Sequence, residues 1–171
     1  MVDQMSEALA AFSTCKTQPA LIGGLALAAH NYVRATQDID FLADAEDSDR
    51  LHEALLGLGY RCIHRSEDAA NYVRGDEGLD FLYAHREVSR RLLATAASRE
   101  TAFGKMRIIS AEGLIGFKLQ ALVNNPQRAR DIDDIRFLLR NNRGMLDMEE
   151  VKSYFVLFDR KELLDELLAE G

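Results

Sequence analysis

The sequence predicts an α/β (α+β) core, a small mixed sheet flanked by helices, followed by a C-terminal helical region. Three observations carry this. Up to about residue 110, short runs that suit strands are interleaved with stretches of helical period. From Ser110 onward the pattern is helical nearly to the end. The 171 residues, 47% of them hydrophobic, suffice for one domain with a real core and a helical appendage. The expected division is 1–110 for the core and 111–171 for the helices.

The elements follow in order. Met5, Ala8, Leu9 and Phe12 recur at helical spacing, so residues 3–14 read as an amphipathic helix. Residues 19–22 form a short strand ending at Gly23-Gly24, and residues 25–34 a helix. Residues 37–43 alternate, with Ile39 and Phe41 on one face and Asp38 and Asp40 on the other. Residues 49–58 are helical and stop at Gly57 and Gly59. Strands are expected at 60–65, 71–74 and 79–83, with Gly75 to Gly78 as a turn. A helix over 87–97 and a strand over 106–109 complete the core. Ser110 is a candidate N-cap for a helix over 111–123, which Asn124-Asn125-Pro126 breaks. Residues 127–140 form the next helix, closed by Asn141 to Gly144. Asp147-Met-Glu-Glu150 and Asp159-Arg-Lys-Glu162 resemble capping boxes for two last helices.

Composition excludes several classes. No apolar run approaches the roughly 20 residues of a membrane-spanning helix. The start, MVDQMSEALA, lacks the basic and apolar regions of a secretion signal, so the expected location is the cytoplasm, with no membrane partner. Cys15 and Cys62 are too few for a disulfide framework and read as two small buried thiols. His30, His52, His64 and His85 show no ligand spacing and read as surface or satisfied core residues. Tyr32, Tyr72 and Tyr83 read as packing residues rather than stacking platforms for a base. The net charge of −7 argues against a protein that coats nucleic acid through a basic surface. The charge is uneven: from Lys105 to Arg143 eight Lys/Arg face four Asp/Glu, a segment of +4 that leaves −11 for the rest. A locally basic segment in an acidic chain suits a phosphate-bearing ligand, although a solvated pair of charged helices gives the same count.

Two carboxylates two residues apart on one strand face repel each other unless they share a cation. Hard oxygen ligands at this spacing suit Mg²⁺, which takes one or two carboxylates plus substrate phosphate oxygens. Asp80, on a later strand, also has apolar neighbours, Leu79 and Phe81, on its opposite face, and joins the first two acids if the strands pair. An Asp-x-Asp on a solvated strand is common by itself. Here Gly24 lies sixteen residues before Asp40, at a strand end that opens a helix, where backbone approaches phosphate closely.

Leu21-Ile-Gly-Gly-Leu-Ala-Leu-Ala-Ala followed by Arg34-Ala-Thr-Gln-Asp-Ile-Asp-Phe-Leu resembles the signature of the polymerase-beta-type nucleotidyltransferase superfamily. Gly23 and Gly24 match its glycine element, Asp38 and Asp40 its Asp-x-Asp, and Asp80 its third acid on a later strand. Within the superfamily the sequence is similar to the AbiEii/AbiGii toxin and related nucleotidyltransferase-like proteins, in which an Arg-x-Thr such as Arg34-Ala-Thr36 precedes the acids. The similarity covers roughly residues 18–140.

A second match lies in the helical region. The helix over 111–123 is apolar nearly all round, and Lys118, the only charge in its middle, shares a face with Leu114, Ile115 and Leu122. A buried ammonium must be paired or used; the alternative is a stem that packs while the head reaches water. On the next helix Asp131 and Asp134 share a face, and Arg130 is spaced to pair with Asp134. Lys118 followed by Arg130-Asp131-Ile-Asp-Asp134 matches a motif of the toxin-like group.

The resemblance implies an enzyme that moves a nucleoside monophosphate from a nucleoside triphosphate to an acceptor hydroxyl. Asp38 and Asp40 would hold Mg²⁺, and Asp80 would bind a second metal or help deprotonate the acceptor. Gly23, Gly24, Thr36, Lys118, Arg130 and Asp131 would form the nucleotide site, with Asp131 orienting Lys118 or lining the site. The acceptor is RNA, such as tRNA, in the toxin-like branch, where an antitoxin protein is the expected partner; a small molecule is equally compatible. The rival reading is a catalytically inactive nucleotide-binding or interaction module of the same fold.

Overall fold

The computed structural model describes residues 2–36, 38–101 and 103–170. The chain forms two compact units, one of residues 1–29 and 33–109, the other of residues 30–32 and 110–171.

The first unit is built on a seven-stranded mixed sheet. Its strands are β1 (Ala20–Leu21), β2 (Asp38–Asp44), β3 (Arg61–Arg65), β4 (Ala69–Arg74), β5 (Glu77–Ala84), β6 (Ala97–Thr101) and β7 (Gly104–Ile108), in the order β3-β4-β5-β2-β1-β7-β6. β2 runs parallel to β5, and β1 parallel to β7; the other neighbours are antiparallel. Helices α1 (Val2–Phe12), α2 (Gly23–Ala28), α3 (Ser48–Gly57) and α4 (Glu87–Thr95) complete the unit.

The alternation of β2 decides which way the sheet faces. Ile39 and Phe41 are buried while Asp38 is exposed and Asp40 half-buried. Phe41 and Phe81 stack at 5.6 Å between ring centres, and Phe12 of α1 meets Phe41 edge-on at 4.7 Å. Tyr72 of β4 closes the cluster edge-on against Phe81 at 5.9 Å. Such offset and edge-to-face pairs add about 0.5–1.5 kcal/mol beyond burial. One face of β2 and β5 is thereby committed to the core, and the acids take the other.

The sequence-based expectations hold for most elements and fail at three. The helix expected over 25–34 begins at Gly23 and ends at Ala28, because Asn31 turns left-handed (φ 65°) and breaks the helical run. Tyr32 then stacks on Phe137 at 3.9 Å within the second unit. The helix expected to reach Ala97 stops at Thr95, and residues 97–101 form the edge strand β6, nearly all exposed. A polar edge strand carries no period-two pattern, which is why the sequence conceals it. Asp159 does not cap the last helix; it sits at φ 53°, and that helix starts behind Arg160 without a side-chain cap. Gln37, expected to open β2, lies outside the described residues.

The second unit contains α5 (Ala111–Asn124), α6 (Ala129–Asn141), α7 (Met148–Leu157) and α8 (Lys161–Ala169). Ser110 Oγ accepts from the Gly113 N–H at 3.1 Å, and Asp147 accepts from Glu149 and Glu150 at 3.0 and 3.2 Å, so both expected caps are present. α5 packs against α6 and α7, and α7 against α8. Among the described residues no helix is long and apolar enough to cross a membrane.

Candidate active site

The acids of the first unit come together through strand register. In the parallel β2–β5 pair Asp40 stands opposite Asp80, and Asp38 opposite Gly78. Partners in register share a face, so Asp38, Asp40 and Asp80 all lie on the face away from the aromatic cluster. Two glycines make room for them. A Cβ on Gly23 would fall inside the Asp40 carboxylate, and one on Gly78 inside that of Asp38. Gly23 also has φ 65°, which a side chain would strain. The Ile22 N–H donates to the Asp40 carbonyl at 2.9 Å, which ties the start of α2 to β2.

Gly24 meets the segment that leads into β2. A Cβ there would lie 2.9 Å from Thr36 Oγ1 and 3.3 Å from Arg34 Nη1. Thr36 Oγ1 donates to the Asp38 carbonyl at 3.2 Å, and Arg34 Nη1 to that of Ala35 at 3.2 Å. Arg34 is therefore a half-buried cation beside the glycine pair. Arg34 lies in the signature segment four residues before Asp38, and that spacing is the trace of its position in the sequence.

Asp80 differs from its neighbours. Asn71 Nδ2 donates to its Oδ1 at 2.7 Å from the adjacent strand β4. Burial pushes its carboxyl above the ordinary carboxylate value, the negative charge of Asp38 adds to this, and the Asn71 hydrogen bond opposes it. No local pattern marks Asn71, whose place beside Asp80 depends on the β4–β5 register. Among the described residues no three His, Cys, Asp or Glu side chains converge to hold one metal ion. Asp38 and Asp40 are the carboxylates of β2 on this face that could offer oxygen to a cation, a donor type that suits Mg²⁺.

The remaining expected residues lie in the second unit. Lys118 is buried, and its Nζ sits 2.9 Å from Asp131 Oδ1 and 2.7 Å from Asp134 Oδ2. Asp131 also accepts from Arg128 Nε. Asp134 therefore pairs with Lys118, whereas the exposed guanidinium of Arg130 makes no ion pair or hydrogen bond among the described residues. Burial would raise the Asp131 carboxyl, but the bonds from Arg128 and Lys118 outweigh it and hold the group below the ordinary value. Lys118 is thus paired and buried; its head does not snorkel to water.

The seven-stranded mixed sheet with its helices has the nucleotidyltransferase fold of the solved structures it resembles. The chain is similar to the antibiotic-resistance factor ANT(2'')-Ia in its solution structure, with a TM-score of 0.68 and 20% identity over 99% of this chain and 97% of that one. It is likewise similar to the crystal structure of ANT(2'')-Ia in complex with adenylyl-2''-tobramycin, with a TM-score of 0.66 and 22% identity over 94% and 98% of the two chains. A third neighbour is the lincosamide antibiotic adenylyltransferase LnuA bound to lincomycin, with a TM-score of 0.57 and 16% identity over 80% and 94%. No protein-family model matches the chain, and no curated protein matches it.

Proposed function

We propose that the protein is a nucleotidyltransferase that moves a nucleoside monophosphate from a nucleoside triphosphate to a hydroxyl of a small polar molecule. The observation that carries this reading is the register of Asp40 with Asp80, which sets a two-carboxylate donor set beside a separate carboxylate with a raised pKa. A half-buried carboxylate bonded by Asn71 suits a different role from the acid pair of β2, whose Asp38 is exposed.

Asp38 and Asp40 would hold Mg²⁺, which when bound supplies charge stabilisation to the phosphate oxygens. Gly23 and Gly24 allow backbone to approach the triphosphate, and Arg34 and Thr36 stand beside them to neutralise and orient it. Asp80 takes the acceptor proton on the oxygen that Asn71 leaves open. The acceptor oxygen forms a bond to the α-phosphorus as the bond from that phosphorus to the bridging oxygen breaks, and pyrophosphate leaves. Positioning and charge stabilisation supply most of the catalysis in such a transfer. A small-molecule acceptor is favoured because ANT(2'')-Ia is seen with adenylyl-2''-tobramycin and LnuA with lincomycin.

The test is to incubate the protein with labelled nucleoside triphosphate, Mg²⁺ and either tobramycin, lincomycin or total cellular RNA, beside an Asp38→Ala/Asp40→Ala control. Label on a small molecule only with intact acids supports the reading. Label on RNA instead moves the protein to the toxin-like branch, with an antitoxin to be sought. Mg²⁺-dependent nucleotide binding without transfer to any acceptor leaves the inactive binding module.

A further inference from the structure

The acid row does not end at Asp80. Across β2, β5, β4 and β3, Asp40 stands opposite Asp80, Asp80 opposite Asn71, and Asn71 opposite His64. Residues directly opposite one another project from the same face, so the four form one line across the acid-bearing side of the sheet. His64 enters this line through an irregularity. Cys62 pairs with Tyr72, but the next pair is His64 with Asn71, so Ile63 is an extra residue bulged out of β3.

That bulge reverses the facing of everything after it. In a regular strand Ile63 would face Asn71, and His64 would point to the side of α3. Instead Arg65 points to that side and pairs with Asp49 of α3, while His64 stands exposed on the acid face. Ile63 is left 58% exposed beside it. Bulges at sheet edges next to active sites commonly re-aim a side chain in this way.

We propose that the row Asp80–Asn71–His64 is the acceptor side of the site: Asn71 positions the Asp80 carboxylate, and His64 contacts a second polar group of a multi-ring acceptor. This rests on the reading of the protein as a nucleotidyltransferase with a small polar acceptor. Asn71 spends Nδ2 on Asp80 Oδ1 at 2.7 Å, which fixes that carboxylate in one orientation. Its amide oxygen remains an acceptor for a hydroxyl or amine. Adjacent strands are about 4.8 Å apart, so His64 lies roughly 10 Å from Asp80. One sugar ring does not cover that span and two linked rings do. The class of acceptor is therefore a polar molecule of at least two linked rings, reacting at one end and recognised at the other.

The experiment uses steady-state kinetics on the whole chain with tobramycin and lincomycin as probes, scored on whichever the wild type modifies. His64→Ala is expected to raise the acceptor KM at least tenfold with the nucleotide KM held. Asn71→Ala is expected to lower kcat at least tenfold with the nucleotide KM and Tm held, and Asn71→Gln, which keeps a donor, to recover part of the loss. In an Asp80→Asn background Asn71→Ala is expected to cost nothing more, because Asn71 acts through Asp80. An acceptor KM unmoved by His64→Ala, or a full further loss on adding Asn71→Ala to Asp80→Asn, overturns the proposal while the transferase reading stands. A wild type that transfers to neither probe overturns the small-acceptor reading and the proposal with it.

Discussion

Lys118 Nζ stands 2.7 Å from Asp134 Oδ2, with both side chains buried, and the same ammonium reaches Asp131 at 2.9 Å. One ammonium of α5 thus bridges two carboxylates of α6, with Arg128 adding a second cation at Asp131. Lys118→Met leaves Asp134 buried without that partner, which costs about 3–5 kcal/mol. Denaturant unfolding checks this. A loss below about 1 kcal/mol would show that the ammonium is not what holds the two helices.

The same cluster sets an acid limit. Asp131 is held below its ordinary pKa by Arg128 and Lys118, against the opposing effect of burial. The unfolded chain therefore binds this proton more readily than the folded one. The resulting stability is fully present above about pH 4, the unfolded carboxylate value, and fades as the pH falls through the folded pKa. Asp131→Asn is expected to flatten stability against pH in that acid window, measured by thermal unfolding between about pH 2 and 5.

Asp80 works in the opposite sense. Its carboxyl is raised by burial and by Asp38, so between the unfolded and folded pKa the folded state carries the extra proton. Stability falls as the pH rises through that window, and the ionised group is a burden at neutral pH. Asp80→Asn is expected to lower transfer by about 10²–10⁴-fold, the usual worth of a general base, while Tm at pH 7 stays level or rises. A mutant that loses transfer and Tm together would assign Asp80 to the scaffold.

Gly23→Ala places a methyl group inside the Asp40 carboxylate at a backbone φ of 65°. The left-handed conformation alone costs on the order of 1–3 kcal/mol. The displaced Asp40 is expected to abolish Mg²⁺-dependent nucleotide binding, read by calorimetry. Unchanged binding would mean that Asp40 can move without consequence.

Asp47 carries a structural load that no sequence pattern announces. Its buried carboxylate accepts from the Lys16 and Thr17 N–H groups, both at 2.9 Å, and from Arg50 at 2.9 Å. Burial raises its pKa, but these bonds outweigh that and keep it low. Asp47→Ala orphans two backbone donors and is expected to cost about 1.5–3 kcal/mol, with little effect on nucleotide binding. Equilibrium unfolding and calorimetry separate the two.

What the sequence determined by itself is local in origin. Alternation in 37–43 set Ile39 and Phe41 on an apolar face and Asp38 and Asp40 on an acidic one, because a strand's side chains have period two. Ser110 and Asp147 announced the starts of α5 and α7, because a cap is a short-range hydrogen bond. The lone Lys118 on an apolar helix posed a choice between a compensated buried charge and a head that reaches water, and the pairing with Asp131 and Asp134 decided it. The tertiary structure alone decided the rest. Asn71 reached Asp80, and His64 joined their row, through strand register and one bulge. β6 pairs at an edge where polar residues leave no periodic trace. Asp134 went to Lys118 rather than to Arg130, since a buried ammonium offers a low-dielectric partner where an exposed guanidinium is screened by water. Periodicity and capping act within a few residues and are written in order along the chain. Register and pairing of buried charges join residues far apart in sequence, and only packing selects among them.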